Sequence, residues 1–165
     1  MAIQDPQTAF FAYLNDIGVA HTTIEHPPIH TIEEALPYWS QLEGVHAKNL
    51  FLKDAKGQLW LICLPAERRA DLKALAPLLG AKRFSFASAE LLEQVLGVRQ
   101  GAVSPFALLN DRDRQVRLAL DAALIEAPRL AFHPLVNTAT TAVATADFLR
   151  FVEALGYRPE ILTLD

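Results

Sequence analysis

Two strand-like segments in the middle of the chain, residues 48–53 and 58–64, flank the turn sequence Asp54-Ala-Lys-Gly57. Their apolar residues and the glycine in the turn predict a β-hairpin. The other strand-like segments are residues 19–25, 106–109, 116–120, 130–132, 141–144 and 160–164. Because these alternate irregularly with helical segments, the pattern favours an α+β fold with a mixed or antiparallel sheet over a regular βαβ fold.

Five segments have the apolar spacing of helices, and three of them begin with a capping residue. Asp5 can cap the first helix, Thr31 and Glu34 have the spacing of a capping box, and Ser88 is the expected cap of the fourth helix. The predicted helices are residues 5–17, 31–36, 71–79, 88–96 and 145–155.

The composition is that of an ordinary globular chain. The 165 residues, 52% of them apolar, suit one domain spanning residues 1–165. No apolar run reaches the roughly 18–20 residues that cross a bilayer, and the N-terminus lacks the pattern of a signal peptide. The single cysteine, Cys63, cannot form an internal disulfide, so we expect a cytoplasmic protein. The net charge of −4 argues against a protein that coats long nucleic acids.

Lys48 is the first candidate functional residue. Alternation along a strand places it on one face with Leu50 and Leu52, so it points towards the core if the leucines do. A buried lysine needs a partner, whereas a lysine at a strand end can extend its ammonium group into solvent. Asn49 faces the opposite side, so a bulge or a strand end would be needed for both residues to serve one site.

The loop Gly101-Ala-Val-Ser104-Pro105 is the second candidate. Such a loop can point backbone N–H groups at a carbonyl or phosphate oxygen, although a plain turn has the same composition. The Gly-x-Ser-x-Gly spacing of a nucleophile elbow is absent from it.

The segment Phe132-His133-Pro134-Leu-Val-Asn137-Thr138 is the third candidate. A histidine can transfer protons near neutral pH, or it can form a purely structural hydrogen bond. The pair His26 and His30 has the spacing of a zinc motif, but the prolines between them prevent the helix that such a site requires.

Three groups of basic residues are candidates for contacts with RNA phosphates despite the acidic total, and three phenylalanines are candidates for stacking on bases, although most of them are expected to be core. For each basic group a solvated surface is the usual role. The basic groups are Arg68, Arg69 and Lys73; Lys82, Arg83 and Arg99; and Arg112, Arg114 and Arg117. The phenylalanines are Phe84, Phe86 and Phe106.

Taken in order, the segment His46-Ala-Lys48-Asn49-Leu-Phe-Leu, the Gly101-x-x-x-Pro105 loop and the Phe132-His133-Pro134 segment resemble the aminoacyl-tRNA editing superfamily that contains YbaK and the insertion domain of bacterial prolyl-tRNA synthetase. The resemblance extends over nearly the whole chain. Glu25-His26-Pro27-Pro28 and the residues from His133 to Thr138 are most similar to the freestanding alanyl-tRNA(Pro) deacylases.

The resemblance implies an α+β fold around a mixed, mostly antiparallel sheet or partial barrel flanked by helices. It also implies hydrolysis of the ester between alanine and the terminal ribose of proline tRNA, assisted by the ribose hydroxyl, without a metal or other cofactor. The expected partner is the acceptor end of that tRNA, with prolyl-tRNA synthetase or an elongation factor as further candidates and with no membrane or DNA partner.

The same resemblance suggests a role for each motif. Lys48 would hold a phosphate or polarise the ester, Asn49 would fix the ribose end, and His133 would border the amino-acid pocket. Backbone N–H groups of the Gly101 loop would face the carbonyl. The candidate catalytic residues are Lys48, Gly101, Ser104 and His133. The candidate substrate-binding residues are Asn49, His26, Ala102, Pro105 and Asn137.

Three alternatives remain open at this point. The chain can be a deacylase with another specificity, such as cysteinyl-tRNA(Pro), or a non-catalytic module that binds tRNA or a synthetase. It can also be an unrelated hydrolase with Ser104 as its nucleophile, which the missing elbow motif disfavours.

Overall fold

The computed structural model describes residues 6–164, except for the side chains of Pro6 and Ile32. The helices are α1 (Pro6–Asp16), α2 (Ile32–Trp39), α3 (Leu72–Leu78), α4 (Ala89–Leu96), α5 (Ala122–Glu126) and α6 (Thr145–Ala154), with a 3₁₀ helix at Pro105–Asn110. The strands are β1 (His21–Glu25), β2 (Val45–Lys53), β3 (Leu59–Pro65), β4 (Ser85–Phe86), β5 (Val116–Asp121), β6 (Arg129–Phe132), β7 (Ala139–Ala144) and β8 (Glu160–Leu162).

The strands form one mixed sheet in the order β1-β7-β6-β2-β3-β5-β8, and β4 also pairs with β2. Four pairings are antiparallel and three are parallel. The predicted hairpin is β2 and β3, and the predicted α+β fold with a mixed sheet flanked by helices is confirmed.

The central strand β3 supplies both faces of the sheet with buried side chains. Leu59, Leu61 and Cys63 belong to the larger core, which also contains residues of α1, α4 and α6. Trp60 and Ile62 alternate with them and belong to a smaller core with residues of α3. Successive side chains of a strand point to opposite faces, so a strand that is apolar at every position has two apolar faces. Such a strand is expected to be covered on both sides, as β3 is.

The helix starts follow the caps predicted from sequence. The Thr31 hydroxyl accepts a hydrogen bond from the Glu34 N–H at 3.2 Å, and the Ser88 hydroxyl accepts one from the Leu91 N–H at 3.1 Å. Each satisfies a backbone donor that the first helical turn leaves without a partner. The predicted cap Asp5 lies outside the described residues.

One predicted strand is wrong. Residues 106–109 belong to the 3₁₀ helix Pro105–Asn110, because Pro105 sits in its first turn and the Ser104 hydroxyl accepts from the Phe106 N–H at 3.1 Å. A short, fully apolar run does not distinguish a buried strand from a buried helical turn. Two short elements, β4 and α5, were not predicted.

The strands beside β2 leave a gap that positions the site. On the side opposite β3, β6 pairs only with Val45 and His46, and β4 pairs only with Leu52 and Lys53. The residues between, 47–51, therefore have a strand neighbour on the β3 side alone.

Candidate active site

A cleft of about 330 Å³ opens at this gap. It combines residues of β2 with the segment before α2, the last residue of α2, the residue after β3, the Gly101 loop and the segment after β6. Four predicted site residues line it: Lys48, Asn49, Gly101 and His133. The sequence analysis missed the other seven, which are Ile29, His30, Thr31, Trp39, Ala47, Ala66 and Val103.

Lys48 reaches the cleft from the middle of β2 and is partly buried. Its predicted face is correct, because Leu52 belongs to the smaller core and Leu50 packs against that core. The ion pairs among the described residues join Arg68 to Asp121, Arg117 to Glu160 and Arg150 to Asp147. None of them involves Lys48, so its ammonium group is available to a ligand in the cleft.

Asn49 lines the same cleft although it lies on the opposite face of β2. Its Nδ2 donates a hydrogen bond to the Val103 carbonyl at 3.0 Å, which ties the strand to the Gly101 loop. The cleft spans the uncovered edge of β2, and side chains from both faces reach it there. Lys48 and Asn49 can therefore serve one site from opposite faces of β2. The gap beside the strand makes this possible, in place of the expected bulge or strand end.

His133 follows β6 and lines the cleft. Its Nδ1–H donates to the Ala139 carbonyl at 2.8 Å, which fixes the tautomer of a neutral ring. Burial lowers the pKa of His133; the hydrogen bond to Ala139 opposes that effect, and the nearby His26 adds to it. The ring is therefore neutral at physiological pH and offers an acceptor at Nε2.

The remaining predicted site residues lie behind the cleft wall. His26 is buried, donates from Nδ1 to the Pro27 carbonyl at 2.9 Å and bonds Thr140 Oγ1 through Nε2 at 2.7 Å. Its ring lies 5.9 Å from that of His133, so it supports His133 from behind. Ser104 is fully buried, and its hydroxyl caps the 3₁₀ helix. A nucleophile must reach its substrate, which this serine does not.

Ala102, Pro105 and Asn137 also stand next to the cleft and not in its lining. Ala102 and Pro105 are buried within the loop segment. A Cβ atom added to Gly101 would lie 3.4 Å from Asn137 Nδ2, so the Asn137 side chain lies close to the turn. These three residues are placed to hold the loop, and their predicted substrate contacts stay predictions.

Trp39 and His46 form a stacked pair at the inner end of the cleft, with ring centroids 4.3 Å apart and planes 15° apart. Burial lowers the pKa of His46 from 6.5 to about 4, although a hydrogen bond to the Trp39 carbonyl raises it; the neighbouring His133 and His26 lower it further. Sequence alone gave Trp39 no role, because its contact with β2 depends on how α2 packs.

We expect His46 to make the protein less stable in acid. The unfolded chain binds a proton at this residue below about pH 6.5, whereas the folded protein does so only near pH 4. The free energy of unfolding should therefore fall between these pH values, by up to about 3 kcal/mol. Urea unfolding measured across this range should show a shallower pH dependence for His46→Gln than for the wild type.

His30→Gln is the matched control, since His30 is exposed. Its unfolding curve should keep the pH dependence of the wild type. A His46→Gln variant with an unchanged pH dependence would show that this residue titrates normally. Some dependence should persist in either variant, because burial also lowers the pKa of His133.

The single cysteine is not accessible from the cleft. Cys63 is fully buried, and burial raises the pKa of its thiol. Among residues 6–164 no group of three or more His, Cys, Asp or Glu side chains has the arrangement of a metal site. None of the helices in that range is long and apolar enough for a bilayer crossing.

Several of the basic and aromatic residues predicted to contact RNA are instead engaged within the protein. Arg68 pairs with Asp121 at 2.8 Å, Arg114 bonds the Leu155 carbonyl, and Arg117 pairs with Glu160 at 3.1 Å. Phe84 and Phe106 are buried core residues, as expected for most of the three phenylalanines, and are not available for stacking. Phe86 is 65% exposed on β4 and stays available.

Comparison with known proteins decides the family. The family model of the aminoacyl-tRNA editing domain matches residues 26–151, which include every predicted site residue. The chain belongs to the aminoacyl-tRNA editing domain family. The resemblance seen in the three motifs is thereby confirmed.

Two curated relatives match most of the chain. Prolyl-tRNA synthetase associated domain-containing protein 1 of Danio rerio is 41% identical over 155 residues, covering 93% of this chain and 84% of that protein. Prolyl-tRNA editing protein ProX of Acetoanaerobium sticklandii is 37% identical over 153 residues, covering 92% and 93%.

A solved structure agrees in fold. It is described as a candidate trans-editing enzyme for prolyl tRNA synthetase and has a TM-score of 0.72, with 99% of this chain and 100% of that one covered. Its sequence identity is 20%, so the likeness concerns the fold alone. The family assignment therefore rests on the family model and the two relatives, and the solved structure agrees with the fold.

Proposed function

We propose that this protein is a trans-editing hydrolase that removes alanine from mischarged alanyl-tRNA(Pro). The observation that carries the proposal is the convergence of Lys48, Asn49, the Gly101 loop and His133 on one cleft. A family match alone would leave open whether the chain has kept a usable site.

The reaction is hydrolysis of the ester between the alanine carboxyl carbon and a ribose oxygen of the terminal adenosine. Water adds to the carbonyl carbon, the bond to the ribose oxygen breaks, and that oxygen takes up a proton. Ser104 and Cys63 are both buried, and the hydroxyl of Thr31, which lines the cleft, is engaged as the cap of α2. The proposal assigns none of these groups as a covalent nucleophile. The neighbouring ribose hydroxyl is therefore the proposed proton-transfer group, and the protein acts mainly by positioning and electrostatics.

Each cleft residue has a proposed part in that reaction. The Lys48 ammonium group holds a phosphate or the ester oxygen, and backbone N–H groups of the Gly101 loop receive the charge that develops on the carbonyl oxygen. Asn49 fixes the ribose end while it holds the loop through Val103. His133 borders the amino acid with a neutral ring, which adds no charge beside the substrate ammonium group.

The need for a separate editing enzyme follows from the energetics of amino-acid binding. A synthetase pocket built for proline rejects a smaller amino acid weakly, because each lost apolar group is worth only about 1–3 kcal/mol. The cleft, at about 330 Å³, is at the small end of ligand sites. A second site that admits alanine and excludes proline by sterics would supply the missing discrimination.

The exposed Phe86 supports an RNA substrate. Phe86 pairs with Leu52 of β2 and is 65% exposed. An exposed aromatic ring is a common surface on which an unpaired nucleotide stacks. We include contact of this surface with the tRNA acceptor end in the proposal.

The decisive experiment compares hydrolysis of alanyl-, cysteinyl- and prolyl-tRNA(Pro) by the purified protein. We expect rapid loss of the alanyl ester and no loss of the prolyl ester beyond that without protein. Faster hydrolysis of the cysteinyl ester than of the alanyl ester would identify cysteinyl-tRNA(Pro) as the substrate instead. Binding of these tRNAs without hydrolysis of any ester would instead support a non-catalytic module.

A further inference from the structure

A second, much smaller cavity of about 20 Å³ adjoins the cleft. It lies between α2, β2, β6 and β7 and shares Trp39, Ala47, Asn49 and His133 with the cleft lining. A cavity needs roughly 10–15 Å³ to hold one water molecule, so this space suits a single water.

Three buried polar atoms without a hydrogen-bond partner belong to residues that line this small cavity: Trp39 Nε1, His46 Nε2 and Asn49 Oδ1. Elsewhere in residues 6–164 the only comparable atoms are Arg68 Nε, Asp121 Oδ2 and Glu160 Oε2, and all three residues form ion pairs. Folded proteins satisfy the large majority of such groups, so three at one cavity indicate a ligand.

The hydrogen-bonding character of each atom is known. The indole Nε1–H of Trp39 can only donate. Asn49 directs its Nδ2 at the Val103 carbonyl, so its free atom Oδ1 is an acceptor. His46 is neutral at physiological pH, and its Nε2 has no hydrogen-bond partner among the described residues, so in the tautomer protonated at Nδ1 this atom is an acceptor. The cavity thus presents one donor and two acceptors.

We propose that the small cavity binds one water molecule, which accepts a hydrogen bond from Trp39 Nε1–H and donates to His46 Nε2 and Asn49 Oδ1. Three hydrogen bonds are the typical number for a buried water. A hydroxyl group has one hydrogen and serves only one of the two acceptors. An ammonium group cannot accept from the indole, and a methyl group satisfies none of the three atoms.

The bound water also gives the cleft a polar inner wall, and this consequence rests on the proposed function. The methyl group of alanine lies beside such a wall without disturbing it. A side chain one carbon longer displaces the water and leaves one donor and two acceptors unpaired. Replacing an ordered water by a group that cannot reproduce its hydrogen bonds weakens binding, so the water acts as a specificity element.

The first test is a crystal structure of the free protein at a resolution that shows ordered water. We expect one density peak within hydrogen-bond distance of all three atoms. An empty cavity, or three side chains rearranged to bond one another, overturns the proposal. This test holds whatever the substrate, so it separates the water site from the proposed deacylase activity.

The second test uses Trp39→Phe, which removes the donor and retains a ring against His46. We expect the preference for alanyl- over 2-aminobutyryl-tRNA(Pro), as a ratio of kcat/KM, to fall about fivefold, the usual effect of one lost hydrogen bond. His46→Phe removes an acceptor and should act likewise if the first variant fails to fold. An unchanged ratio in a folded variant overturns the specificity role.

Tyr38→Phe is the matched control. It also removes one polar atom from an aromatic residue of α2, but Tyr38 lines neither cavity. Its ratio should equal that of the wild type, and an equal fall in this variant would overturn the assignment to Trp39. Failure of the wild type to hydrolyse either ester would refute the proposed function. The crystal structure would then be the test that decides whether the water site exists.

Discussion

Replacement of Lys48 by alanine should lower kcat/KM for alanyl-tRNA(Pro) by about a hundred- to a thousandfold, the usual effect of removing a positioned electrostatic group from a reaction site. Lys48 lines the cleft, and the ion pairs of the described residues do not include it. Its loss leaves no other lysine or arginine among the residues that line the cleft. Single-turnover deacylation gives the rate, and the melting temperature should stay near that of the wild type.

Lys56→Ala provides the control for charge and length. Lys56 is exposed in the turn between β2 and β3, and its backbone N–H, which alanine retains, donates to Asp54. Wild-type activity is expected for this variant. Full activity in Lys48→Ala would refute the role of Lys48 while leaving the deacylase function intact. Lost activity in both variants would point to a general effect of positive charge on tRNA binding.

Local features of the chain were predictable because they depend on neighbouring residues. The caps Thr31 and Ser88 lie within three residues of the N–H groups that they satisfy. The face of Lys48 followed from strand alternation alone. The two-residue strand β4 and the short helix α5 were missed, since so few residues carry little periodicity and their formation depends on the elements packed against them.

The site itself required long-range information. Asn49 shares the cleft with Lys48 only because β6 and β4 leave residues 47–51 uncovered, and no local pattern predicts where two strands separate. Trp39 likewise lines the cleft because of the way in which α2 packs against β2, which no local pattern predicts. His46 belongs to the segment that carries the family resemblance, but its neutral ring and unpartnered Nε2 follow from burial in the folded protein.

Gly101→Ala should reduce activity by about a hundredfold, the cost that a displacement of about 1 Å can have at a reaction site. Gly101 has φ of +92°, a conformation that costs an L-residue about 1–2 kcal/mol. The loop is expected to relieve that strain by shifting, and Val103, whose carbonyl holds Asn49, shifts with it. The measurements are kcat/KM for alanyl-tRNA(Pro) and the free energy of unfolding.

Gly57→Ala is the control that distinguishes the effect of backbone strain from the effect of displacing the Gly101 loop. Gly57 has φ of +83° in the β2–β3 turn, and a Cβ atom there would meet no other atom within 4 Å. Both variants should lose similar stability, about 1–2 kcal/mol, because both place alanine in the left-handed region. Only Gly101→Ala should lose deacylation. Equal activity losses would attribute the effect to global destabilisation, and a fully active Gly101→Ala would remove this loop from the reaction.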